Sequence, residues 1–405
     1  ALTLAMVALL AFVWCLPIVL SSRPVWPHVV AHFTADWDAT YTDQGVSLNW
    51  LAPVSLQGVR FEGPDGELLA TAGAIETERT LLSLLMNPSD FGTLRLERPQ
   101  VHLQLQPGGS NIEQLLEDYL KRQKSETEVV RGAITIAGGQ LNVSAADRPD
   151  VARTQYQDID GTISLNTTQI GEGSVELRSC RVTNDQQVAG SPAGSLTANV
   201  TWRPDGSTND WSLVTNIESL DLACLESVFE RFAMSVKLAG TGTLQTEASW
   251  KGLFERPSFQ FHKCAVEGLR LYAPDFLGQD QLAWSKCSVA GHCTIGLDRW
   301  YFNNLDIHCD AGHLRLDGAF SLAARSEASI LERLFTTVRE SDATIAGELD
   351  LAELASEFPH LLRVRSDTTL ESGRLQFTLE NSSLPSNRQL VAHISTTPLA
   401  ARRGN

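Results

Sequence analysis

The sequence predicts a mainly β protein with a few short helices, in which an N-terminal transmembrane helix precedes a long, curved antiparallel sheet. Three observations support this prediction. Short stretches alternate apolar and polar residues, turn-forming residues separate them, and the chain opens on an uncharged apolar segment. The alternating stretches recur over most of the 405 residues, whereas helical patterns are few. The alternative architecture is a series of β-sandwich domains.

The apolar segment at the start of the chain has the length of a membrane anchor. Residues 1–20 carry no charge, and Thr3 is their only plainly polar residue. A helix of about 20 apolar residues spans the roughly 30 Å hydrocarbon core of a bilayer. Trp14 and Trp26 lie toward its end, where amphipathic rings favour the interface. The alternative is a secretory signal peptide, but no small-residue cleavage pattern follows the segment. We therefore expect a single-pass anchor over residues 1–22, with the body outside the cytoplasm.

The charge of the body excludes some partners. The net charge is −16, with 43% hydrophobic and 20% charged residues, which is typical of a folded chain. Because phosphate binding needs a basic patch, nucleic acid is not an expected partner. Docking on anionic headgroups by charge alone is equally disfavoured.

Period-two alternation identifies the strands and their apolar face. In Thr93–Glu97, the two leucines point to one side of a strand, while Arg95 and Glu97 point to the other. Such a pattern predicts an antiparallel sheet with one apolar and one wet face. The apolar residues chosen in this way as candidates for a lipid-facing groove are Leu94, Leu96, Val101, Leu103, Leu105, Ile134, Ile136, Leu141, Val143, Leu269, Leu271, Leu314, Leu316, Leu375, Phe377 and Leu379.

Turn and helix signals divide the alternating stretches. Turns are predicted at 64–66 and 204–206, both of sequence Pro-Asp-Gly, and a hairpin is predicted at 137–140. Ser110 and Glu113 form a capping box that opens a helix. Other short apolar helices are predicted over 81–85, 222–232 and 330–338.

These helices are too few to cover so much sheet. An apolar sheet face must be hidden from water by a second sheet, by helices or by lipid. Two interpretations therefore remain open. The first is a β-sandwich with an ordinary core, and the second is a long sheet whose apolar face is an open groove for acyl chains.

The first 125 residues carry an ordered set of motifs. The apolar segment leads into 45–50 (GVSLNW), then 91–103 (FGTLRLERPQVHL), then 110–116 (SNIEQLL). This order resembles the N-terminal region of AsmA-like proteins of the bacterial envelope. There, an anchor is followed by hairpins, a short apolar helix, a G-x-L-x-L-x-x-P-x-V-x-L strand pair and an N-x-x-x-L-L helix. Beyond residue 125, only the general rhythm of the strands is similar.

The resemblance implies a fold and a function. AsmA-like proteins are related to TamB and to the chorein-type bridge proteins, whose β-hairpins build a taco-shaped groove. It implies an anchor over 1–22, a chorein-like region over 23–125 and a repeating hairpin groove over 126–405. It also implies a protein of the inner membrane, with its body in the periplasm, that guides phospholipid between membranes and supports outer-membrane assembly. Membrane phospholipid and envelope assembly proteins are then the expected partners, and no cofactor or catalytic activity is expected.

Catalytic and metal-binding patterns are weak. The sequence has no G-x-S-x-G, H-E-x-x-H, P-loop or G-x-G-x-x-G motif in the required context. Cysteines and histidines gather between residues 261 and 313 without the spacing of a zinc site. Disulfides such as Cys264–Cys287 or Cys293–Cys309 are the alternative there, with free buried thiols as a third. Two rival functions follow: an anchored β-sandwich module that binds glycan or protein, and an anchored hydrolase.

Overall fold

The chain is mainly β with few short helices, as the alternation predicts. The computed structural model describes residues 12–33, 39–115, 131–146, 148, 150–165, 172–185, 193–205, 208–231, 234–252, 255–296, 299–321, 342–365, 367–381 and 390–403. Two compact units divide the chain. Unit 1 comprises Ala1–Gln186 and Thr197–Pro204, and unit 2 comprises Gln187–Leu196 and Asp205–Asn405. The boundary expected after residue 125 falls inside unit 1.

Unit 1 is built on one mixed ladder of strands. Its strands are β1 (Thr40–Thr42), β2 (Gly45–Ser47), β3 (Pro53–Glu62), β4 (Leu68–Thr80), β5 (Asp90–Glu97), β6 (Gln100–Gln106), β7 (Gly109–Ser110), β8 (Arg131–Ala145), β9 (Thr154–Leu165) and β10 (Gly173–Asn184), and β11 (Gly194–Asp205) crosses the division. Strands β1 and β2 both pair with β3, which pairs with β4. Strand β4 pairs with β5 and β6, these two with β8, then β8 with β9 and β9 with β10.

The expectation of a purely antiparallel sheet is wrong at β8. This strand runs parallel to both β5 and β6. Parallel pairing needs a crossover of a dozen or more residues, usually containing a helix. Residues 107–130 supply that length, and residues 111–115 within them are helical. The capping box begins this helix, since the N–H of Glu113 donates to Ser110 Oγ at 3.2 Å. Residues 116–120 of the predicted helix lie outside the described residues.

The hairpin predicted at 137–140 is also wrong, because these residues lie inside β8. Gly138 has φ +60 and forms part of a bulge in that strand. The bulge lies opposite the break between β5 and β6. There the N–H of Arg98 donates to the carbonyl of Ala137, and the N–H of Gln140 donates to that of Pro99. Strands β5 and β6 therefore follow each other along one line instead of forming the expected strand pair.

Unit 2 contains a wholly antiparallel ladder in which successive strands are neighbours. Its strands are β12 (Thr208–Asp221), β13 (Lys237–Lys251), β14 (Glu255–Tyr272), β15 (Leu282–Ile295), β16 (Arg299–Cys309), β17 (Gly312–Ser321), β18 (Asp342–Asp350), β19 (Thr368–Ser372), β20 (Arg374–Asn381), β21 (Leu390–Thr396) and β22 (Ala400–Arg403). The ladder runs from β12 to β18 and continues through β20 to β21. Strands β19 and β22 form a separate two-stranded sheet.

Bulges keep the apolar residues of unit 2 on one face. In β14, the apolar spacing changes from two to three between Phe261 and Cys264, and the register with β15 shifts at that point. The same change and shift occur in β16 between Phe302 and Leu305. A bulge inserts one extra residue, so it restores the facing that a step of three would otherwise invert. The apolar face is therefore continuous although the alternation in the sequence is not.

The helices are short, and side chains cap the start of two of them. They are α1 (Trp26–Phe33), α2 (Leu81–Met86), α3 (Glu226–Glu230), α4 (Pro274–Leu277) and α5 (Leu351–Glu357), with a 3-10 turn at Leu222–Leu225 before α3. Thr80 Oγ1 caps α2 and Asp350 caps α5. The helices predicted at 81–85 and 222–232 are thus present, whereas 330–338 lies outside the described residues. The turn at 64–66 joins β3 to β4 as predicted. Gly206 of the second predicted turn is not described.

The described part of the apolar N-terminal segment is helical over residues 12–20. Most of its apolar side chains are exposed, including Phe12 and Ile18, each 64% accessible, whereas Pro17 is buried. Residues 1–11 of the expected anchor lie outside the description. Among the helices that are described, none combines the length and apolar character needed to cross a bilayer. Helix α1 follows, and Trp26 Nε1 donates to Asp43 Oδ2 at 2.7 Å, which ties it to the β1–β2 turn.

Candidate functional site: apolar rows across the strands

One row of directly paired side chains crosses all nine strands of the main ladder of unit 2. In direct register from β12 to β21 it consists of Ile217, Leu244, Cys264, Val289, Ile307, Leu314, Gly347, Phe377 and Ile394. We call this the central row. Directly paired residues lie on the same face of a sheet. With strands about 4.8 Å apart, nine strands give the row a length of about 38 Å.

The side chains of the central row are only partly covered. Those from Ile217 to Phe377 are half-buried, and Ile394 at the end is 62% exposed. Their neighbours along the strands point to the other face, where several are exposed, as at Lys263, His308 and Arg315. The ladder therefore has the wet and apolar faces that the alternation predicts.

A packed cluster beside this row comes from neighbouring strands. Phe320, Ala343, Ile345 and Leu379 form its buried centre, with Phe302, Leu316 and Phe377 packed against them. All seven lie on β16, β17, β18 and β20, which are consecutive in the ladder. The rings of Phe302 and Phe320 meet edge to face with centroids 5.1 Å apart. Among the described residues, this cluster packs sideways along one sheet and takes no member from a second layer.

Unit 1 carries a similar row. It consists of Val46, Leu56, Ile75, Leu96, Ile136, Gly161 and Leu177, paired in register across β2, β3, β4, β5, β8, β9 and β10. All of these residues are half-buried except Gly161, which is buried. A shorter row beside it joins Leu94, Ile134, Ile163 and Val175. On the wet face of this unit, Ser55, Glu76, Arg95 and Thr135 form a polar row in the same register.

The predicted groove residues fall into several of these rows. Leu96, Ile136, Leu314 and Phe377 lie in the two long rows, and Leu94 and Ile134 in the shorter one. Leu316 and Leu379 belong to the packed cluster, and Leu375 pairs with Leu349 in a row beside the central one. Beyond the bulge of β8, Val101 pairs with Leu141 and Leu103 with Val143, while Leu105 pairs with Ala145. Leu269 and Leu271 lie beyond Gly268, where β14 bulges relative to β13, and they pair with Trp284 and Leu282 of β15.

Only Leu314 and Phe377, of the nine residues of the central row, were predicted as groove residues. Cys264 was considered only as a thiol, and Gly347 has no side chain. The five remaining apolar residues were not chosen: Ile217, Leu244, Val289, Ile307 and Ile394. Each lies in a segment of alternating residues, so the local signal was present. What the sequence lacked was the register between strands, which decides which apolar residues meet.

The cysteines are all free thiols, and the structure places them differently from both suggested pairings. Cys264 pairs with Val289, so it lies diagonally from Cys287. Cys293 pairs with Phe302, far along the strands from Cys309. Instead, Cys287 lies directly opposite Cys309. Burial raises the pKa of the Cys264, Cys287, Cys293 and Cys309 thiols, that of Cys287 to about 11.

A polar cluster on the wet face bears on the hydrolase alternative. Ser258 Oγ lies 2.8 Å from His292 Nε2, and Gln260 Oε1 lies 3.2 Å from His292 Nδ1. Serine hydrolases place a carboxylate where Gln260 stands, because its charge stabilises the imidazolium. They also need free backbone N–H groups as an oxyanion hole, whereas regular ladder positions use these groups for strand pairing. The cluster therefore lacks two parts of the usual machinery.

The described residues contain no group of three or more histidine, cysteine or acidic side chains placed to hold a metal ion. No protein-family model matches the sequence, and no curated protein matches it at a significant level.

Proposed function

We propose that this protein is an AsmA-like, membrane-anchored protein of the cell envelope that guides phospholipid along the apolar face of its sheet. In this proposal, residues 1–22 anchor it in the inner membrane and its body lies in the periplasm. The face would form a curved groove, and no catalytic step would be required. Two lines of support come from the N-terminal part: the motif order in residues 1–125, and the exposed apolar side chains of helical residues 12–20.

The observation that carries the proposal is the central row. The row crosses nine strands in a direction perpendicular to them, and seven of its nine members present a half-buried apolar side chain, with Gly347 within the row and the exposed Ile394 at its end. The acyl chains of one leaflet occupy about half of the roughly 30 Å hydrocarbon core, so one chain would cover about three strands. A row about 38 Å long offers several such positions in succession, which suits movement along the sheet better than a single binding site.

The energetics also favour movement over trapping. Each buried CH₂ contributes about 0.8 kcal/mol relative to water, but a bilayer offers nearly the same gain. A face that covers an acyl chain on one side need only approach the affinity of the membrane. Lipid can then exchange between the two without a deep energy minimum on the protein.

Site-specific photocrosslinking tests the proposal. A benzoyl-phenylalanine placed at Val289, in the central row, is compared with one at Ala290, the exposed next residue on the opposite face. The full chain is exposed to vesicles of phosphatidylethanolamine and phosphatidylglycerol and then irradiated. We expect lipid adducts at Val289 and little labelling at Ala290. Equal labelling of both positions, or none at either, would contradict the proposal.

A pair of charge substitutions provides the functional control. Ile307→Glu places a carboxylate in the central row, whereas His308→Glu places one on the wet face of the same strand. Because desolvating an unpaired charge costs several kcal/mol, we expect Ile307→Glu to reduce extraction of fluorescent phospholipid from vesicles by more than about tenfold. His308→Glu should leave extraction near the wild-type level. Circular dichroism of both variants separates loss of transfer from loss of folding.

A further inference from the structure

Cys287 and Cys309 face each other across β15 and β16 on the apolar side of unit 2. They are directly paired, and two residues further along the strands lies the pair of Val289 and Ile307. Both pairs therefore belong to the same face. The thiols lie beside the central row and take no part in the proposed lipid path.

The neighbouring turn determines the geometry of this pair. Cys309 and Gly312 are paired across a two-residue turn at Asp310 and Ala311, so their backbone groups must bond to each other. The N–H and C=O of Cys309 then point away from β15. Its pairing with Cys287 is consequently of the non-hydrogen-bonded kind, in which Cα atoms are about 4.5 Å apart and side chains are closest. Disulfides bridge Cα separations of about 4.4–6.8 Å.

The other thiols of the region are less well placed. Cys264 is diagonal to Cys287, and diagonal neighbours are about 7–8 Å apart, at or beyond the limit for a disulfide. Cys293 is six residues from Cys287 along β15, which corresponds to about 20 Å. Direct pairing therefore singles out one couple among the four cysteines.

We propose that Cys287 and Cys309 form a reversible disulfide that joins β15 to β16 when the protein meets a disulfide oxidant. The Cys309 thiolate attacks one sulfur of the oxidant, whose S–S bond breaks and releases the first thiolate. The Cys287 thiolate then attacks the Cys309 sulfur of this mixed disulfide and releases the second. The two protons lost by the protein thiols go to the two leaving thiolates. The protein loses two electrons and the oxidant gains them. This inference stands independently of the lipid proposal.

The surroundings of the two sulfurs assign the order of attack. Burial raises the pKa of both thiols, but at Cys309 the backbone N–H groups of Ala311 and Gly312 oppose the shift. Cys309 is therefore the more readily ionised and is the first nucleophile, because the thiolate is the reactive form.

Peptide mapping tests the pairing. The full reduced chain is incubated with oxidised glutathione at mildly alkaline pH, free thiols are blocked with N-ethylmaleimide, and the chain is digested with trypsin without reduction. Cleavage after Lys286, Arg299 and Arg315 gives peptides 287–299 and 300–315. We expect these two to be joined, with the remaining thiol of Cys293 alkylated. Before oxidation, each should instead appear separately and fully alkylated.

Single substitutions distinguish the outcomes. Cys293→Ser should keep the joined peptides, which shows that Cys287 is the linked residue of 287–299. Cys287→Ser should abolish the link and leave glutathione on Cys309. Three results in the wild-type chain would overturn the inference: a link from Cys264 to Cys287, a link through Cys293, or full alkylation of both thiols after oxidation. Fragmentation of the joined peptides from the wild-type chain also shows which cysteine of 287–299 is alkylated, so a poorly folding variant does not obscure the result.

Discussion

Replacing Gly291 by alanine should destabilise unit 2 far more than the same substitution at Gly268. Both glycines lie in strands close to bulges, and both have positive φ, +126 at Gly291 and +61 at Gly268. An added Cβ at Gly291 would collide with the carbonyl oxygen of Asn304 and lie 2.7 Å from the Cα of Leu305. A Cβ added at Gly268 would meet no atom within 4 Å.

The expected magnitudes follow from these two environments. At Gly268, the left-handed conformation costs an alanine about 1–2 kcal/mol, and the stiffer unfolded chain returns about 0.4–1 kcal/mol. The net loss is about 1 kcal/mol. At Gly291, the backbone conformation costs about 1–3 kcal/mol and the collision with backbone atoms adds about 1–3 kcal/mol. The stiffer unfolded chain again returns about 0.4–1 kcal/mol, so we expect a net loss centred on about 3 kcal/mol.

Urea unfolding of the full-length variants, followed by tryptophan fluorescence, measures the difference. Trp284 and Trp300 lie in β15 and β16, on either side of the affected contact. The free energy of unfolding is compared at equal m-value, since a changed m-value would indicate a different denatured or native state. If the two alanine variants agree within about 0.5 kcal/mol, the inferred close approach of β15 and β16 at this bulge is incorrect.

Three further substitutions test other contacts in unit 2. Asp280→Asn should cost about 1.5–3 kcal/mol in urea unfolding at neutral pH, because its 1% exposed carboxylate accepts bonds from His360 Nδ1 and the N–H groups of His360 and Leu361. Burial acts to raise the pKa of Asp280, but the hydrogen bonds from Leu361 and His360 together outweigh it, so folding lowers this pKa. The stability that this carboxylate contributes is therefore complete above its unfolded pKa and is lost as pH falls through the folded pKa. Asp280→Asn should remove this pH dependence of the free energy of unfolding. Asp350→Ala should cost about 1 kcal/mol in the same assay, through loss of the cap on α5, and Asp350→Asn should retain most of it. Leu379→Ala should cost about 2–5 kcal/mol because it empties the centre of the packed cluster, and unchanged stability would mean that this cluster is not packed.

Local sequence signals predicted the elements of the fold better than their arrangement. Strand faces follow from alternation, and the helix starting after Thr80 follows from its apolar run. The parallel pairing of β8 could not be derived in this way, because it depends on the crossover after β6. The two glycines at 138 and 139 illustrate the limit. A turn between strands and a bulge within one strand use the same residues, and only the partner strand distinguishes them.

The prediction of the candidate site also lacked the register between strands. Leu314 and Phe377 were both predicted groove residues, but their membership of one row depends on Gly347 lying between them. A glycine contributes no apolar side chain and therefore gave no sequence signal. At this position an added Cβ would lie 2.7 Å from the carbonyl oxygen of His313. Gly347 thus allows close packing of β17 and β18 where the row passes.

The bulges provide an argument that the apolar face matters as a continuous surface. In β14 and β16, the spacing between successive apolar residues changes at one point from two residues to three. In a regular strand, this change would turn the following apolar residues toward water. In β14 and β16 the ladder instead shifts register at that step, so Cys264 and Leu305 rejoin the face that Phe261 and Phe302 began. The central row lies on this face. Its half-buried side chains have too little protein cover to be an ordinary core, and they are too apolar for an ordinary wet surface. An apolar ligand on that face would gain the burial that the protein leaves incomplete, and this is the physical basis for expecting lipid there.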